Sequence, residues 1–333
     1  MVKRRICWYL GLSLSLSALS GCGPRAFHIE LVPTSQSLKE TLIQRDAGLF
    51  VSDKIAVIDM DGLMINRRKS GLMRTGENPV SLLLEKLDKA AGDPGVKAVV
   101  LRLNSPGGTV AASNIMHHRL LEFKRRTAKP VVTCVVGLGC SGAYYLACGS
   151  DGIMTQPSAV TGNIGTIFQT FSVAGTMEKI GVKAVTIKSG KLKDMASPLH
   201  DLSDDERQVL EGIIEDLYQQ FLAVVCQGRP GLSEQKIRQL ADGRVYTAKQ
   251  ALTEGLIDRI GYLTDAIEWA KEMAGIDRAK VVIYHRPSSH KPNAYGSAAA
   301  NMEGLGPLIN IDLPDWLASG ESQFLYLWQP AVY

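Results

Sequence analysis

Cysteine is scarce in this chain, and none of it has metal-ligand spacing. Six cysteines are spread over 333 residues, without a Cys-x-x-Cys pair or nearby histidines, which argues against a zinc site. No motif asks for another metal or a cofactor, so none is expected. Cys134, Cys140, Cys148 and Cys226 read as buried free thiols, with a disulfide open to them in an oxidising compartment. An excess of one charge is also missing. Removal of Lys3, Arg4 and Arg5 with a targeting segment leaves 34 basic residues against 33 acidic ones, and that balance gives no argument for a nucleic-acid partner. The chain has no internal repeat. It also lacks a comfortable membrane-spanning run, because the longest apolar stretch near the N-terminus, Cys7 to Leu19, is too short. What remains is an ordinary globular composition, 45% hydrophobic and 21% charged, with ample core for one large domain or two small ones.

The N-terminus carries an address. Lys3-Arg4-Arg5 forms a basic region, Cys7 to Leu19 an apolar one, and Ser20 and Gly21 supply small residues before Cys22. That is the profile of a cleaved signal peptide over residues 1–21. Leu19-Ser20-Gly21-Cys22 resembles a bacterial lipobox, which makes Cys22 the expected lipidated first residue of the mature chain. Several acyl chains on one residue suffice for stable membrane anchoring. The simpler readings are an ordinary signal peptide and an uncleaved anchor. The expected location is the bacterial cell envelope, facing periplasm or exterior. Residues 22–53 are weakly patterned and suit a tether or a peripheral helix.

From Lys54 the pattern is that of parallel α/β construction. Lys54–Met60 and Val96–Leu103 are strands of near-continuous apolar character, as expected where both sheet faces are covered. Val80–Ala91 and Ala111–Arg126 have helical period. Pro130–Val136 is the next strand, Ser141–Ala147 a short helix and Asp151–Gln156 another strand. Val182–Lys188 alternates as a strand. Asp204–Val225 reads as a long amphipathic helix with Ser203 as N-cap, destined for internal packing or an oligomer surface. Gly243–Gly261 reads as a strand-turn-helix-turn unit, Val281–His285 as a further strand, Pro287–Gly304 as a flexible linker. Phe324-Leu325-Tyr326-Leu327-Trp328 returns to apolar character. In this architecture functional loops gather at the carboxyl ends of the strands.

Two such strand ends carry chemistry. Gly107-Gly108 lets backbone N–H groups point at a ligand, the raw material of an oxyanion hole; a plain glycine turn before a helix is the alternative. Ser141 stands at a tight strand-to-helix corner with its hydroxyl exposed for attack, or serves as an N-cap. A serine nucleophile needs a base. None of the six histidines, His28, His117, His118, His200, His285 and His290, sits at a glycine-rich strand end, so a Ser-His-Asp triad is poorly supported. A lysine kept neutral by burial can take the proton instead, and Lys188, Lys191 and Lys193 flank the Ser189-Gly190 turn. The residues alone do not choose among them.

Five ordered motifs resemble those of the signal peptide peptidase A family. They are Asn104-Ser105-Pro106-Gly107-Gly108, Cys140-Ser141-Gly142-Ala143-Tyr144-Tyr145, Thr161-Gly162-Asn163-Ile164-Gly165, Ser189-Gly190-Lys191-Leu192-Lys193-Asp194, and Gly243-Arg244-Val245-Tyr246 with Gly255-Leu256-Ile257-Asp258. The resemblance spans about Lys54 to Ala274. It implies a single α/β catalytic domain at 54–275 with the repeated β-β-α units of the Clp protease/crotonase-like fold, followed by a partly flexible extension at 276–333. It also implies Ser141 as nucleophile, a desolvated Lys193 as general base, and the N–H groups of Gly108 and Gly142 as oxyanion donors. Asn163 stands where the family usually has serine and is the candidate for orienting the lysine. Cys140 replaces a common alanine, and its side chain is expected to point away from the corner.

The resulting expectation is a membrane-anchored serine endopeptidase acting through an acyl-enzyme on signal-peptide remnants or unfolded segments, without nucleic acid. The family's oligomeric rings or domes imply a homo-oligomer, in which the closing apolar stretch docks against a neighbour. A catalytically silent peptide-binding lipoprotein of the same fold is one alternative. An acyl-thioester enzyme of the crotonase kind is the other.

Overall fold

In the computed structural model, residues 37–48, 50–67, 70–71, 74–75, 77–287 and 323–328 are described. The lipidation candidate Cys22, the signal peptide at 1–21 and the linker at 288–304 lie outside them. The first strands are β1 (Lys39–Arg45), β2 (Lys54–Asp61) and a short hairpin of β3 (Ser70–Gly71) and β4 (Arg74–Thr75). Helix α1 (Pro79–Gly92) then starts on Asn78, whose side chain accepts from the Val80 N–H at 2.9 Å and so satisfies an otherwise orphaned donor. Strand β5 (Val96–Ser105), the short β6 (Gly107–Thr109) and helix α2 (Val110–Thr127) follow. Next come β7 (Val131–Cys140), α3 (Gly142–Ala147), β8 (Gly152–Thr155), β9 (Val160–Gly162), β10 (Ile167–Phe168) and α4 (Ala174–Lys179).

The second half begins with α5 (Asp204–Gly228), whose start is a capping box between Ser203 and Glu206. After it come α6 (Glu234–Leu240), β11 (Val245–Thr247), α7 (Ala248–Thr253), β12 (Arg259–Ile260), α8 (Leu263–Ala274), β13 (Lys280–His285) and β14 (Phe324–Leu327).

The main sheet runs β1-β13-β2-β5-β7-β8-β12, with β9 on β7 and β11 on β9. Its centre, from β13 through β12, is parallel, and β1 closes one edge antiparallel. Alternate residues of β5 divide between the two faces. Val99 and Leu101 join the core under α1, α2, α3 and α5, whereas Ala98 and Val100 pack against Leu263, Ile267 and Trp269 of α8. Coverage of both faces explains why these strands read as continuous apolar runs.

Three stretches differ from the sequence reading. The supposed tether at 22–53 contains β1, which pairs with β13 from Lys39–His285 to Arg45–Lys280; its mostly exposed side chains hide an edge strand from pattern analysis. The sheet therefore extends beyond 54–275 at both ends. Val182–Lys188 forms no strand and is exposed throughout, because its alternation finds no partner strand among the described residues. The closing apolar stretch pairs with β6 and β10 of its own chain rather than waiting for a neighbour. Among the described residues no helix is long and apolar enough to cross a membrane.

Candidate active site

Strand β7 delivers Ser141 to a corner with φ 54° and ψ −118°. That conformation is sparsely populated for a residue with a Cβ and costs on the order of 1–3 kcal/mol, to be balanced elsewhere. The balance is visible around it: the Ser141 N–H donates to Gly162 C=O at 2.7 Å, and its C=O accepts from the Tyr145 N–H at 2.9 Å. Tyr144 anchors the helix from beneath, donating its hydroxyl to Leu256 C=O at 2.8 Å. Ser141 is 1% exposed, and its Oγ has no hydrogen-bond partner among the described residues. The side chain makes no cap to α3, so the N-cap explanation for this serine is not what the geometry shows.

Gly108 and Gly142 come together beside that corner. A Cβ on Gly142 would lie 2.2 Å from Ser113 Oγ and 3.3 Å from the Gly108 nitrogen; a Cβ on Gly108 would lie 1.9 Å from Met64 C=O. Neither position has room for any other residue. Met64 bridges to β6, its N–H donating to Gly107 C=O and its C=O accepting from the Thr109 N–H, each at 2.9 Å. Met64 and Ser113 belong to none of the glycine-marked motifs. Only the close approach itself reveals them.

Cys140 is buried, its Sγ 3.6 Å from Val160 C=O, and burial pushes its thiol up to about 12. A thiol so protonated and turned from the corner is not the nucleophile. Cys134 and Cys148 are buried with thiols likewise raised to about 12, and all four described cysteines are free.

Asn163 follows Gly162 at φ 51°, a left-handed position that asparagine tolerates better than most residues. Its amide nitrogen donates to Gly243 C=O at 2.5 Å and its backbone N–H to Arg244 C=O at 2.7 Å. The amide thus ties the turn after β9 to the Gly243 loop.

The three lysines of the Ser189-Gly190 turn separate clearly. Lys188 pairs with Asp194 and Lys191 with Asp205. Lys193 is exposed, its backbone N–H donating to Gly190 C=O at 3.2 Å, and its ammonium has no ion pair or hydrogen bond among the described residues. It does not bond Ser141 in this single chain. The neighbouring Asp194 is held low by Lys188, and His200 is raised by the Asp201 and Asp194 carbonyls. Asp194, His200 and Glu206 thereby tie the lysine turn to the start of α5.

A parallel sheet with covered faces, a strained serine on the strand-to-helix corner and two glycine amides beside it define an α/β serine hydrolase of the Clp protease/crotonase-like class. Residues 123–277 match the model of peptidase family S49. The chain is 32% identical over 272 residues to a putative signal peptide peptidase SppA of Enterococcus faecium, covering 81% of this chain and 78% of that one. A putative protease of Synechocystis sp. is 34% identical over 228 residues, with 68% and 77% covered. Protease 4 of Haemophilus influenzae is 32% identical over 268 residues, 79% of this chain but 42% of its own. This chain belongs to the signal peptide peptidase A family, peptidase family S49, and is a serine peptidase.

Proposed function

We propose that the protein is a lipid-anchored endopeptidase of the bacterial cell envelope that cuts signal-peptide remnants and other membrane-associated polypeptides. The observation that carries the mechanism is the buried, unpartnered Oγ of Ser141 on its strained corner, since a hydroxyl held so at a cost of stability needs a chemical reason. Ser141 Oγ attacks the peptide carbonyl, the N–H groups of Gly108 and Gly142 receive the oxyanion, and the amine leaves with a proton. Water then hydrolyses the acyl-enzyme. Lys193 is the base: of the three lysines at its turn it is the one not engaged with a carboxylate. Extended or unfolded peptides suit a site framed by strand edges.

The arm from Thr166 to Ser203 exposes Val185, Ile187 and Ile180 (85%, 97% and 70%). An apolar surface of that kind on the segment carrying Lys193 supports a homo-oligomer in which the arm is covered and the lysine is brought to a serine. The basic region, the short apolar run and Cys22 support the lipid anchor, and likeness to the putative signal peptide peptidase of Enterococcus faecium supports the substrate class.

The test is labelling of the full chain by a fluorophosphonate. Wild type is expected to label, Ser141→Ala not at all, and Lys193→Ala at a rate lower by about 10²–10⁴. Labelling that persists in Ser141→Ala would overturn the assignment, and an unreactive wild type would leave a peptide-binding protein of the same fold.

A further inference from the structure

Between the lysine turn and the start of α5 stands His200, half-buried, with both ring nitrogens against carbonyl oxygens. Nδ1 lies 2.9 Å from Asp201 C=O and Nε2 3.1 Å from Asp194 C=O. A carbonyl only accepts, so both bonds are made only when both nitrogens carry a proton, which is the imidazolium. The neutral ring would turn a lone pair against an oxygen. Two carboxylates complete the surroundings: Asp194 Oδ2 lies 3.6 Å and Glu206 Oε1 3.8 Å from Nε2. Among the described residues these are the charged side chains that face the ring, one from the lysine turn and one from α5.

Each carboxylate is divided between its own element and the histidine. Asp194 holds Lys188 with Oδ1 and turns Oδ2 to the ring. Glu206, 3% exposed, accepts from the Ser203 N–H and Oγ with Oε2, each at 2.8 Å, and turns Oε1 to the ring. The neighbouring acids are engaged elsewhere, Asp205 with Lys191 and the Asp201 carboxylate with Ser172 Oγ at 2.6 Å. The Asp194 C=O also accepts the Ser197 N–H at 3.0 Å. Lys193 directly precedes Asp194, so whatever fastens Asp194 to α5 fastens the lysine turn. Asp194, His200 and Glu206 stand close enough together to suggest a metal site, but a ring with both nitrogens against carbonyls has no lone pair to offer, and the site holds a proton instead.

We propose that His200 is the positioning residue of Lys193, a clasp that fastens the lysine turn to α5 while its ring is protonated and releases it when the ring is neutral. The proposal rests on the reading of Lys193 as the base. The Asp201 and Asp194 carbonyls raise the ring above its ordinary value of 6.5. The clasp is therefore complete below pH 6.5 and is lost as pH rises through the higher value of the folded state. Lys193 runs the other way, since it can take the serine proton only when it is itself neutral. Release of the clasp thus opposes part of the gain that alkaline pH gives the base.

Two substitutions in the full chain test this through the rate of fluorophosphonate labelling of Ser141 between about pH 6 and about pH 9. His200→Gln carries no charge and is expected to label about tenfold more slowly than wild type at the acid end, the worth of one charge-assisted hydrogen bond. That ratio should close toward one at the alkaline end, where the wild-type ring is neutral too. His200→Arg keeps a cation at every pH; it should label like wild type at the acid end and about tenfold faster at the alkaline end. Ratios that do not change with pH in either variant would mark a packing effect and overturn the proposal. Hydrogen exchange of residues 189–199 reads the clasp without the chemistry. Exchange in wild type should equal that of His200→Arg at the acid end and exceed it at the alkaline end, whereas equal exchange at both ends overturns the clasp. A wild type that does not label sinks the peptidase reading, and hydrogen exchange then decides the clasp by itself.

Discussion

Ser141 combines two local costs, a backbone conformation that favours glycine and a buried hydroxyl without a partner. Ser141→Gly removes both and adds about 0.5–1 kcal/mol of backbone entropy to the unfolded chain. The net expectation is a gain of about 1 kcal/mol. Thermal unfolding of the variant should shift upward by about 2–4 °C, with fluorophosphonate labelling abolished. An unchanged or lower midpoint would mean that the corner is relaxed. The sequence made this residue visible because strand end, small residues and helix start are local signals. It also made Gly108 and Gly142 visible as glycines, whereas Met64, the reason Gly108 has no Cβ, is an ordinary apolar residue until the chain brings it within 1.9 Å of that position.

Between elements, α2 and α3 meet through His117, whose ring stands edge-on to Tyr145 at 5.0 Å and packs beside Gly149. Burial, helped by His118 and Lys124, lowers its pKa from 6.5 to about 4. The folded protein keeps this histidine neutral, while the unfolded chain takes a proton below 6.5. Stability from this group is therefore intact above pH 6.5 and is lost progressively as pH falls toward 4, by about 3 kcal/mol in total. His117→Phe should retain the packing and remove that loss, so urea midpoints at pH 7 and pH 4.5 should lie closer together than in wild type. The same helix pair shows what patterning can and cannot deliver. The period of α2 and the apolar runs of β5 and β7 were readable because each buries its own regular face. The edge strand β1 and the two-residue β10 and β12 were not, because their existence depends on a neighbour rather than on a pattern.

For the whole molecule the open question of the sequence was where the lysine turn goes. Residues 182–188 alternate like a strand yet remain exposed and unpaired, and this is physically consistent with an arm whose partner surface lies on another copy. Ile187→Asp is expected to leave the circular dichroism spectrum and thermal midpoint of the folded chain unchanged. It should lower the mass measured by light scattering, together with labelling of Ser141. A wild type that is monomeric at every concentration, or an Ile187→Asp variant as active as wild type, would contradict the covered arm.

The position of β13 carries one more consequence, concerning the order in which the molecule is made. This strand sits between β1 and β2, so Thr41 meets His285 across 244 positions of sequence. Pairings of such span are slow to form, and a chain synthesised from its N-terminus cannot form this one until residues 280–285 have emerged. Until then β2 lacks its neighbour on one side, and β2 is the strand that leads to Met64 and so to the support beneath Gly108. The sheet beside the strand that supports Gly108 is thus completed only by β13, from the far side of the sequence.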